Sequence, residues 1–565
     1  MQKILLVLLP FWTPLIPPMG MACLKSFLQA NGCRVKTIDA NTDERFRNVY
    51  DHYFDTLKGF IPVEKQGNFY NTGIDVLQNH LTACLHRDKC SKDRYNELLL
   101  DLVEKNFFHV IDENMIMELN KLIVSFYQTL EKYILELLAQ ENPDVLGISV
   151  YKGTFAASLF GFQLTRERYP HIMTVMGGGI FADQLATGSP NFNFFLESTP
   201  YIDKVIVGEG ELLFLKLLKN EFPAAQKVLT RSDINSTYLD ITTVDIPDFS
   251  DFGLEYYSES AAYTSRSCPF QCGFCAETVN WGKYRRKPAV QVVKEMNRLY
   301  EQYGSQLFLL TDSLLNPIID ELANELIASP QALYWDGYIR ADKETCDLEK
   351  TILWRRGGLY RARLGIESGS EHVLKLMDKR LTPPQIKAAL FGLSQAGIKT
   401  STYWVIGYPG ETEADFQDTL NILSELKDYI YEAECNPFRY YLAGQVNSGT
   451  WSENNKSLLL FPAWAKDLLI MQTWVLAGDG LGPSRDEIYA RMQRFVLHCE
   501  KLGIPNPYSW QDIYKADERW RKLHANAVRP LIEYKNNETY INECKKVGNI
   551  VFLKENPVDE GDFAF

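Results

Sequence analysis

Three cysteines lie close together near the middle of the chain, in Cys268-Pro-Phe-Gln-Cys272-Gly-Phe-Cys275. Cysteine is otherwise sparse, with 11 in 565 residues, so chance does not explain the group. Three thiolates on one short loop can bind three irons of a [4Fe–4S] cluster and leave the fourth iron open. A structural zinc site needs a fourth ligand, and no Cys or His follows before Cys346. The spacing therefore favours iron–sulfur over the alternatives, zinc or inert buried thiols.

Further polar residues and glycines fall at the ends of successive predicted strands after the cysteines. Each has an ordinary alternative explanation, because Asp often caps a helix and Arg often forms a surface ion pair. Their order, at the carboxyl ends of consecutive strands, favours one shared binding site instead. The candidates are Asp312, Ser313, Arg340, Glu367, Ser368 and Gly407.

Glycines mark a second candidate site nearer the N-terminus, again where predicted strands end. Glycine lets a backbone approach a large ligand closely, and ligands of a doubly wound sheet bind at the carboxyl ends of its strands. The alternative is a domain in which these glycines only form turns. The candidate binding residues are Ser149, Tyr151, Gly177, Gly178, Gly208 and Glu209.

Hydrophobic periodicity assigns the N-terminal candidates to an α/β domain over residues 1–220. We expect a doubly wound, Rossmann-like sheet with a helical insertion at about 46–140. Residues 221–258 have the composition of a linker. The predicted strands are 4–9, 34–38, 145–150, 172–176 and 204–207.

A second α/β series assigns the cysteines and the later candidates to residues 259–450. Six strands with helices between them predict a partial (β/α)6 barrel. Residues 451–565 predict a mainly helical C-terminal domain. The predicted barrel strands are 261–265, 307–311, 334–339, 361–366, 400–406 and 431–435.

Composition narrows the class of protein. A hydrophobic content of 46% excludes intrinsic disorder, and 11 cysteines are too few for a disulfide scaffold. The net charge of −13 argues against a protein that binds nucleic acid by neutralising phosphates. The N-terminal apolar run at 4–9 is far shorter than the roughly 20 residues of a membrane span. We expect a cytoplasmic protein that binds neither nucleic acid nor membrane.

The cysteine spacing, with Phe274 before the last cysteine, resembles the radical S-adenosylmethionine (SAM) superfamily over about residues 259–440. In that family the open iron binds the amino and carboxylate groups of SAM. An electron from the cluster then cleaves SAM to methionine and a 5′-deoxyadenosyl radical. The resemblance implies a [4Fe–4S] cluster on the three cysteines and SAM as a second cofactor.

The same resemblance implies a role for each barrel candidate. Asp312 and Ser313 would lie near the SAM amino group, and Arg340 near its carboxylate. The segment that contains Glu367 and Ser368 would face the ribose hydroxyls. Gly407 would belong to the turn on the adenine side.

The N-terminal unit resembles the cobalamin-binding domain that precedes many radical SAM barrels, which implies cobalamin as a third cofactor. Many such domains carry Asp-x-His-x-x-Gly after the first strand, and that His ligates cobalt. Here residues 9–18 contain no His, so the lower cobalt ligand is unassigned. Tyr151 and Lys152 lie where a residue could face the lower side of the corrin ring.

Together the resemblances imply a cobalamin-dependent radical SAM enzyme, and a C-methyltransferase acting on an unactivated carbon is the leading hypothesis. A peptide or natural-product substrate is suggested by the aromatic and basic stretch 281–286, whose alternative is a solvated helix flank. The runner-up is a non-methylating rearrangement, cyclisation or ring contraction. A cobalamin- or SAM-sensing regulator is the alternative from another class. We also expect an electron donor such as flavodoxin or ferredoxin as a partner.

Overall fold

The structure is a computed structural model that describes residues 2–12, 15–67, 69–182, 185–438, 463–470, 482–506 and 510–527. Two six-stranded sheets organise the described residues, and all neighbouring strands within each sheet are parallel. No helix among the described residues is both long and apolar enough to cross a membrane. The α/β fold class predicted from the sequence is confirmed.

The first sheet has the strand order β2-β1-β3-β4-β5-β6. The order in which strands are added to the sheet reverses between β1 and β3. In such a sheet the ligand crevice opens at that point, beyond the carboxyl ends of the strands. The strands are β1 (Lys3–Leu8), β2 (Arg34–Asp39), β3 (Val145–Ser149), β4 (Met173–Gly177), β5 (Lys204–Ile206) and β6 (Val228–Leu229).

Helices cover both faces of this sheet. Leu5 and Val7 of β1 pack with residues of the helical insertion, whereas Leu6 and Leu8 pack with the first helix and the last one of this domain. The insertion is therefore the cover of one sheet face, which explains why β1 is apolar at every position from Ile4 onward. The helices are α1 (Met19–Ala30), α2 (Glu44–Phe60), α3 (Val63–Gln66), α4 (Phe69–Leu85), α5 (Lys92–Phe107), α6 (Glu113–Glu141), α7 (Phe155–Arg168), α8 (Pro190–Ser198) and α9 (Gly210–Leu218).

The segment predicted as a linker, 221–258, takes part in the fold. It supplies β6, which pairs with β5 at the edge of the first sheet. It also supplies Phe249 and Phe252, which are buried in the core shared by the two α/β units. The sequence concealed both contributions because β6 has only two residues and the apolar residues follow no regular period.

The second sheet is the partial barrel, with the order β14-β13-β12-β11-β10-β7. Its strands follow one another in chain order, as repeated βα units require. The strands are β7 (Ser260–Ala262), β10 (Leu307–Leu310), β11 (Tyr334–Ile339), β12 (Leu359–Glu367), β13 (Lys399–Ile406) and β14 (Glu432–Pro437), and a separate hairpin consists of β8 (Ser265–Arg266) and β9 (Arg285–Arg286).

The predicted first barrel strand, 261–265, is divided in the structure. β7 ends at Ala262, and Ser265 pairs with Arg286 in the antiparallel hairpin. The break has a local cause, because the backbone N–H of Thr264 donates to the Asp312 carboxylate and is removed from the strand ladder. The cysteine loop therefore begins from the hairpin and not from the barrel strand itself.

Helices enclose the barrel, and two more follow it. The described part of the predicted C-terminal domain contains α17, which packs on β13, β14 and α16, and α18. The remainder of 451–565 lies largely outside the described residues. The helices are α10 (Glu277–Trp281), α11 (Ala289–Tyr303), α12 (Ile319–Ile327), α13 (Leu348–Arg356), α14 (Glu371–Leu376), α15 (Pro383–Gln395), α16 (Glu413–Leu426), α17 (Arg485–Leu502) and α18 (Trp510–Leu523).

Candidate active site between the two sheets

A cavity of about 450 Å³ lies where the carboxyl ends of the two sheets meet. Its walls come from β1, β3, β4, β5 and α1 on one side and from the residues just before the cysteine loop, α10 and the end of β10 on the other. Six of the sequence-derived candidates of the first domain line it, and so does one barrel candidate. These residues are Ser149, Tyr151, Gly177, Gly178, Gly208, Glu209 and Ser313.

Two glycines of the cavity wall are required by close approach of the backbone. A Cβ at Gly178, which has φ +109°, would lie 2.5 Å from the backbone N and O of Val150. Gly147, in the middle of β3, would place a Cβ 2.7 Å from the side chain of Leu6. Both glycines are therefore required by packing within the protein. At Gly208, by contrast, an added Cβ would meet no atom within 4 Å, so the backbone there is open to a ligand.

Tyr151 is fixed between aromatic and polar neighbours at the edge of the cavity. Its ring contacts Trp12, with ring centroids 4.4 Å apart. Burial raises the pKa of its phenol, although a hydrogen bond with Ser149 opposes that effect. The adjacent Lys152 turns the other way and forms an ion pair with Asp75 of the helical insertion. Of this pair, only Tyr151 lines the cavity.

The three cysteines follow β8 on one loop. Cys272 is buried, while Cys268 and Cys275 are partly exposed. Burial raises the pKa of Cys275 to about 12, and it raises the pKa of Cys268 as well. Iron binds thiolates, so loading a cluster must remove protons that these buried thiols otherwise retain.

The sulfur atoms share the loop without forming a closed ligand set. Among the residues that the structure describes, no group of three or more His, Cys, Asp or Glu side chains is arranged to hold a metal ion. The donor chemistry nevertheless fits iron–sulfur, because all three candidate ligands are sulfur.

Two cations lie over the aromatic residues of the cysteine loop. The guanidinium of Arg340 lies 4.2 Å from the centroid of Phe270, and its Nη1 is 4.0 Å from the sulfur of Cys272. Lys379 lies 5.6 Å from the ring of Phe274. A cation as close to a sulfur as Arg340 is to Cys272 stabilises a thiolate or another negatively charged ligand.

Arg340 also retains an unused donor. It is 7% exposed, and its Nη2 has no hydrogen-bond partner within the described chain. A buried guanidinium nitrogen without an acceptor is costly, so the position suits an anionic group such as a carboxylate.

The carboxylate of Asp312 is hydrogen-bonded within the chain itself. It accepts hydrogen bonds from the N–H and hydroxyl of Thr264 and from the hydroxyl of Ser265, the last at 2.5 Å. Ser313 donates instead to Glu277, at the beginning of α10. The two neighbours therefore hold opposite ends of the cysteine loop, and only Ser313 reaches the cavity.

Glu367 ends β12 and does not line the cavity. A register shift between β12 and β13 and a φ of +66° direct it away from the regular strand alternation. Its carboxylate accepts a hydrogen bond from Lys379 at 2.7 Å. Ser368 is buried and accepts from the N–H of Ser370 at 3.1 Å.

A turn and a neighbouring helix both require glycine at position 407. Gly407 has φ +81°, and a Cβ there would lie 2.2 Å from Ile488 of α17. Its N–H donates to Glu411 at 2.8 Å. The structure thus leaves five candidates of the barrel strands outside the cavity wall, namely Asp312, Arg340, Glu367, Ser368 and Gly407, and the three cysteines Cys268, Cys272 and Cys275 do not line it either.

Several residues with clear roles were not identified from the sequence. Arg266 and Glu277 line the cavity, and Lys379 pairs with Glu367. Arg266 and Glu277 lie within two residues of the first and last cysteine, so proximity to the motif could have indicated them. Lys379 had no such signal, because its contact with Glu367 depends on the turn after α14.

We predict that replacing Cys268, Cys272 and Cys275 together by Ala abolishes iron and sulfide loading, because no other thiol is on this loop. Iron and acid-labile sulfide are to be measured after anaerobic reconstitution. The matched control is Cys346→Ala, a thiol that donates to backbone oxygens elsewhere in the barrel. Full cluster content in the triple variant would contradict the assignment.

We predict that Asp312→Ala lowers the free energy of unfolding by about 3 kcal/mol, because three buried donors lose their acceptor. Asp312→Asn, which retains one oxygen, is expected to lose less. Urea unfolding of the apo-protein followed by tryptophan fluorescence compares the variants. If Asp312→Ala kept wild-type stability and lost only SAM binding, Asp312 would be a direct SAM contact instead.

Residues 263–423 match the Radical SAM superfamily. The match includes the three cysteines, the four barrel strands β10 to β13 and most of α16. The resemblance predicted from the cysteine spacing is confirmed.

Relatives of known name include both cyclases and methyltransferases. The anaerobic magnesium-protoporphyrin IX monomethyl ester cyclase of Cereibacter sphaeroides is 26% identical over 314 residues, which cover 50% of this chain and 50% of the relative. The cobalamin-dependent radical SAM methyltransferase TokK of Streptomyces tokunonensis is 25% identical over 323 residues, covering 50% and 45%. The chain therefore spans about half the length of these curated relatives.

The fold has a solved counterpart over most of its length. The radical SAM methyltransferase TsrM from Kitasatospora setae, solved with cobalamin and a [4Fe–4S] cluster bound, aligns with a TM-score of 0.55 at 15% identity. The alignment covers 92% of this chain and 99% of TsrM. Residues 263–423 therefore match a radical SAM domain, and the chain has the overall fold of TsrM.

Proposed function

We propose that this chain is a cobalamin-dependent radical SAM enzyme that methylates an unactivated carbon of a peptide or natural product. The observation that carries the proposal is the shared cavity, whose walls combine the glycine-rich strand ends of the first sheet with residues next to the cysteine loop. The fold of TsrM and the sequence similarity to TokK support it.

Side chains of matching chemistry are available for each cofactor. The cysteine loop offers three sulfur ligands for the cluster. Arg340 offers a buried donor with no acceptor among the described residues, which suits the SAM carboxylate. The backbone at Gly208, where an added Cβ would meet no protein atom within 4 Å, allows a bulky corrinoid to approach the first sheet. When bound, the cluster and SAM supply a carbon-centred radical, and the corrinoid supplies a methyl group.

The chain itself provides positioning and shelter. Apolar side chains of α1 and of the loop before it, among them Ile16, Met19 and Leu24, line the cavity and limit the entry of water. Exclusion of water and other C–H bonds matters because a primary carbon radical is unselective. An electron donor such as flavodoxin or ferredoxin would reduce the cluster from outside the cavity.

The basic stretch after the cysteines does not by itself define the substrate. Arg285 forms an ion pair with Glu209, and Arg286 forms one with Glu321. Both charges thus have partners within the chain, and the peptide class is a proposal drawn from the sequence alone.

Cyclisation is the second candidate function, and the similarity to the magnesium-protoporphyrin cyclase favours it among the non-methylating reactions. The two reactions differ in what becomes of the SAM methyl group. A methyltransferase product retains it, whereas a cyclised product contains none.

We predict that the reconstituted, reduced protein cleaves SAM and accepts a deuterated methyl group from labelled SAM on its bound corrinoid, detectable by mass spectrometry without a substrate. Labelled candidate products would then identify methylation, and unlabelled products that have lost two hydrogens would identify cyclisation. SAM cleavage separates an enzyme from a sensing regulator. The triple cysteine variant is the control, and wild-type protein that binds corrinoid but never cleaves SAM would contradict the enzyme assignment.

We also predict that the bound cobalt has no histidine ligand. None of the described residues that line the cavity is histidine, and the loop after β1 contains none from Leu9 to Pro18. Electron paramagnetic resonance of the reduced cobalt reports the axial ligand directly. A nitrogen splitting from an imidazole of the protein would refute this prediction.

A further inference from the structure

Four charged residues form one cluster between the two α/β units, and we name Glu209, Glu211, Arg266 and Arg285 the inter-domain clamp. Arg266 bridges both acids, through Nη1 to Glu209 at 3.0 Å and through Nη2 to Glu211 at 2.6 Å. Arg285 binds Glu209 from the neighbouring strand at 2.5 Å. The acids belong to the first domain, and the arginines belong to the hairpin that carries the cysteine loop.

The clamp is shielded from water. Its side chains are 9–13% exposed, and its two positive and two negative charges balance. Buried charges of this kind are costly when a partner is removed. The rings of Tyr263 and Trp281 further enclose the Arg266 guanidinium, at 5.4 and 5.8 Å.

The inter-domain clamp joins the two walls of the proposed active site. Arg266 precedes Cys268 by two residues, whereas Glu209 is the N-cap residue of α9 and Glu211 lies in the first turn of that helix. Glu209, Glu211 and Arg266 line the cavity. The two acids also border a second cavity of about 480 Å³ beside it.

We propose that Arg266 is a positioning residue that fixes the cysteine loop at a set distance and angle from the glycine-rich edge of the first sheet. Glu209 is then a partner of two arginines and not a ligand of the corrinoid. The inference rests on the proposed function, because it concerns the separation of the two cofactor sites.

The geometry of arginine explains why this residue type is needed. A planar guanidinium reaches two carboxylates in fixed directions at once, which a lysine ammonium does not. Arg266 is also paired with Arg285 across the antiparallel hairpin. Rotation of the hairpin relative to β5 would therefore stretch contacts on two strands together.

The test compares Arg266→Gln and Glu211→Gln with Arg286→Gln, which removes an arginine of the same hairpin whose partner, Glu321, is on the protein surface. Each protein is loaded anaerobically with iron, sulfide and hydroxocobalamin. Pulsed electron paramagnetic resonance then measures the distance distribution between reduced cobalt and the reduced cluster. Iron content, cobalt content and SAM cleavage without substrate are recorded in parallel.

We expect Arg266→Gln to load iron and cobalt like the wild type but to give a shifted or broadened distance distribution. Glu211→Gln should change it in the same direction, and Arg286→Gln should leave it unchanged. With a substrate in hand, the product formed per SAM cleaved should fall on the order of 100-fold in Arg266→Gln, as a small misplacement of reacting groups predicts. If Arg266→Gln does not fold, the isosteric Glu211→Gln decides.

A wild-type distance distribution in Arg266→Gln overturns the inference, and so does a failure of that variant to load iron, which would make Arg266 a local support of the cysteine loop. If the wild-type protein takes up no corrinoid, the proposed function fails while the clamp is still testable. In the Arg266→Gln apo-protein, the rates of backbone amide hydrogen exchange at residues 208–214 and 265–268 should then both rise about tenfold or more above those of the wild type. Unchanged exchange at either segment would refute the clamp itself.

Discussion

The site depends on one constraint, which is that the carboxyl edges of two parallel sheets face each other. In a parallel sheet every strand-to-helix loop emerges at the same edge, so each sheet gathers its loops on one side. Apposition of the two edges produces a cavity of about 450 Å³ with walls from both. Only in that arrangement do the glycines of the first sheet and the cysteine loop of the second lie beside the same cavity.

Burial affects two kinds of group that the barrel offers to a cofactor. It raises the pKa of the Cys268 and Cys275 thiols and so keeps these two thiols protonated until metal competes for the sulfur. It also leaves the Arg340 guanidinium with an unpaired donor among the described residues. That unpaired donor is unfavourable for the protein alone, and an anionic ligand relieves it.

The helical insertion and the segment before the barrel give the site a rigid base. Packing of the insertion on Leu5 and Val7 buries one face of the first sheet. Phe249 and Phe252 extend a single apolar core from the other face into the barrel. The two sheets therefore share a core on one side of the cavity and the inter-domain clamp on another, which restricts their relative movement.

The sequence by itself determined the chemistry and the class of fold. Cysteine spacing indicated a cluster because sulfur ligands on one loop are a local property, and strand and helix periodicity indicated two parallel sheets for the same reason. It also identified six residues of the first domain that line the cavity, since glycine at a strand end is visible without contacts. What only the tertiary structure decided was which candidates line the cavity. Asp312 accepts a hydrogen bond from Thr264, and Glu367 accepts one from Lys379. Gly407 lies against Ile488. Arg266 joins Glu209 and Glu211, more than 50 residues earlier in the chain. These partners are distant in sequence and are chosen by packing, which no local pattern of residues encodes.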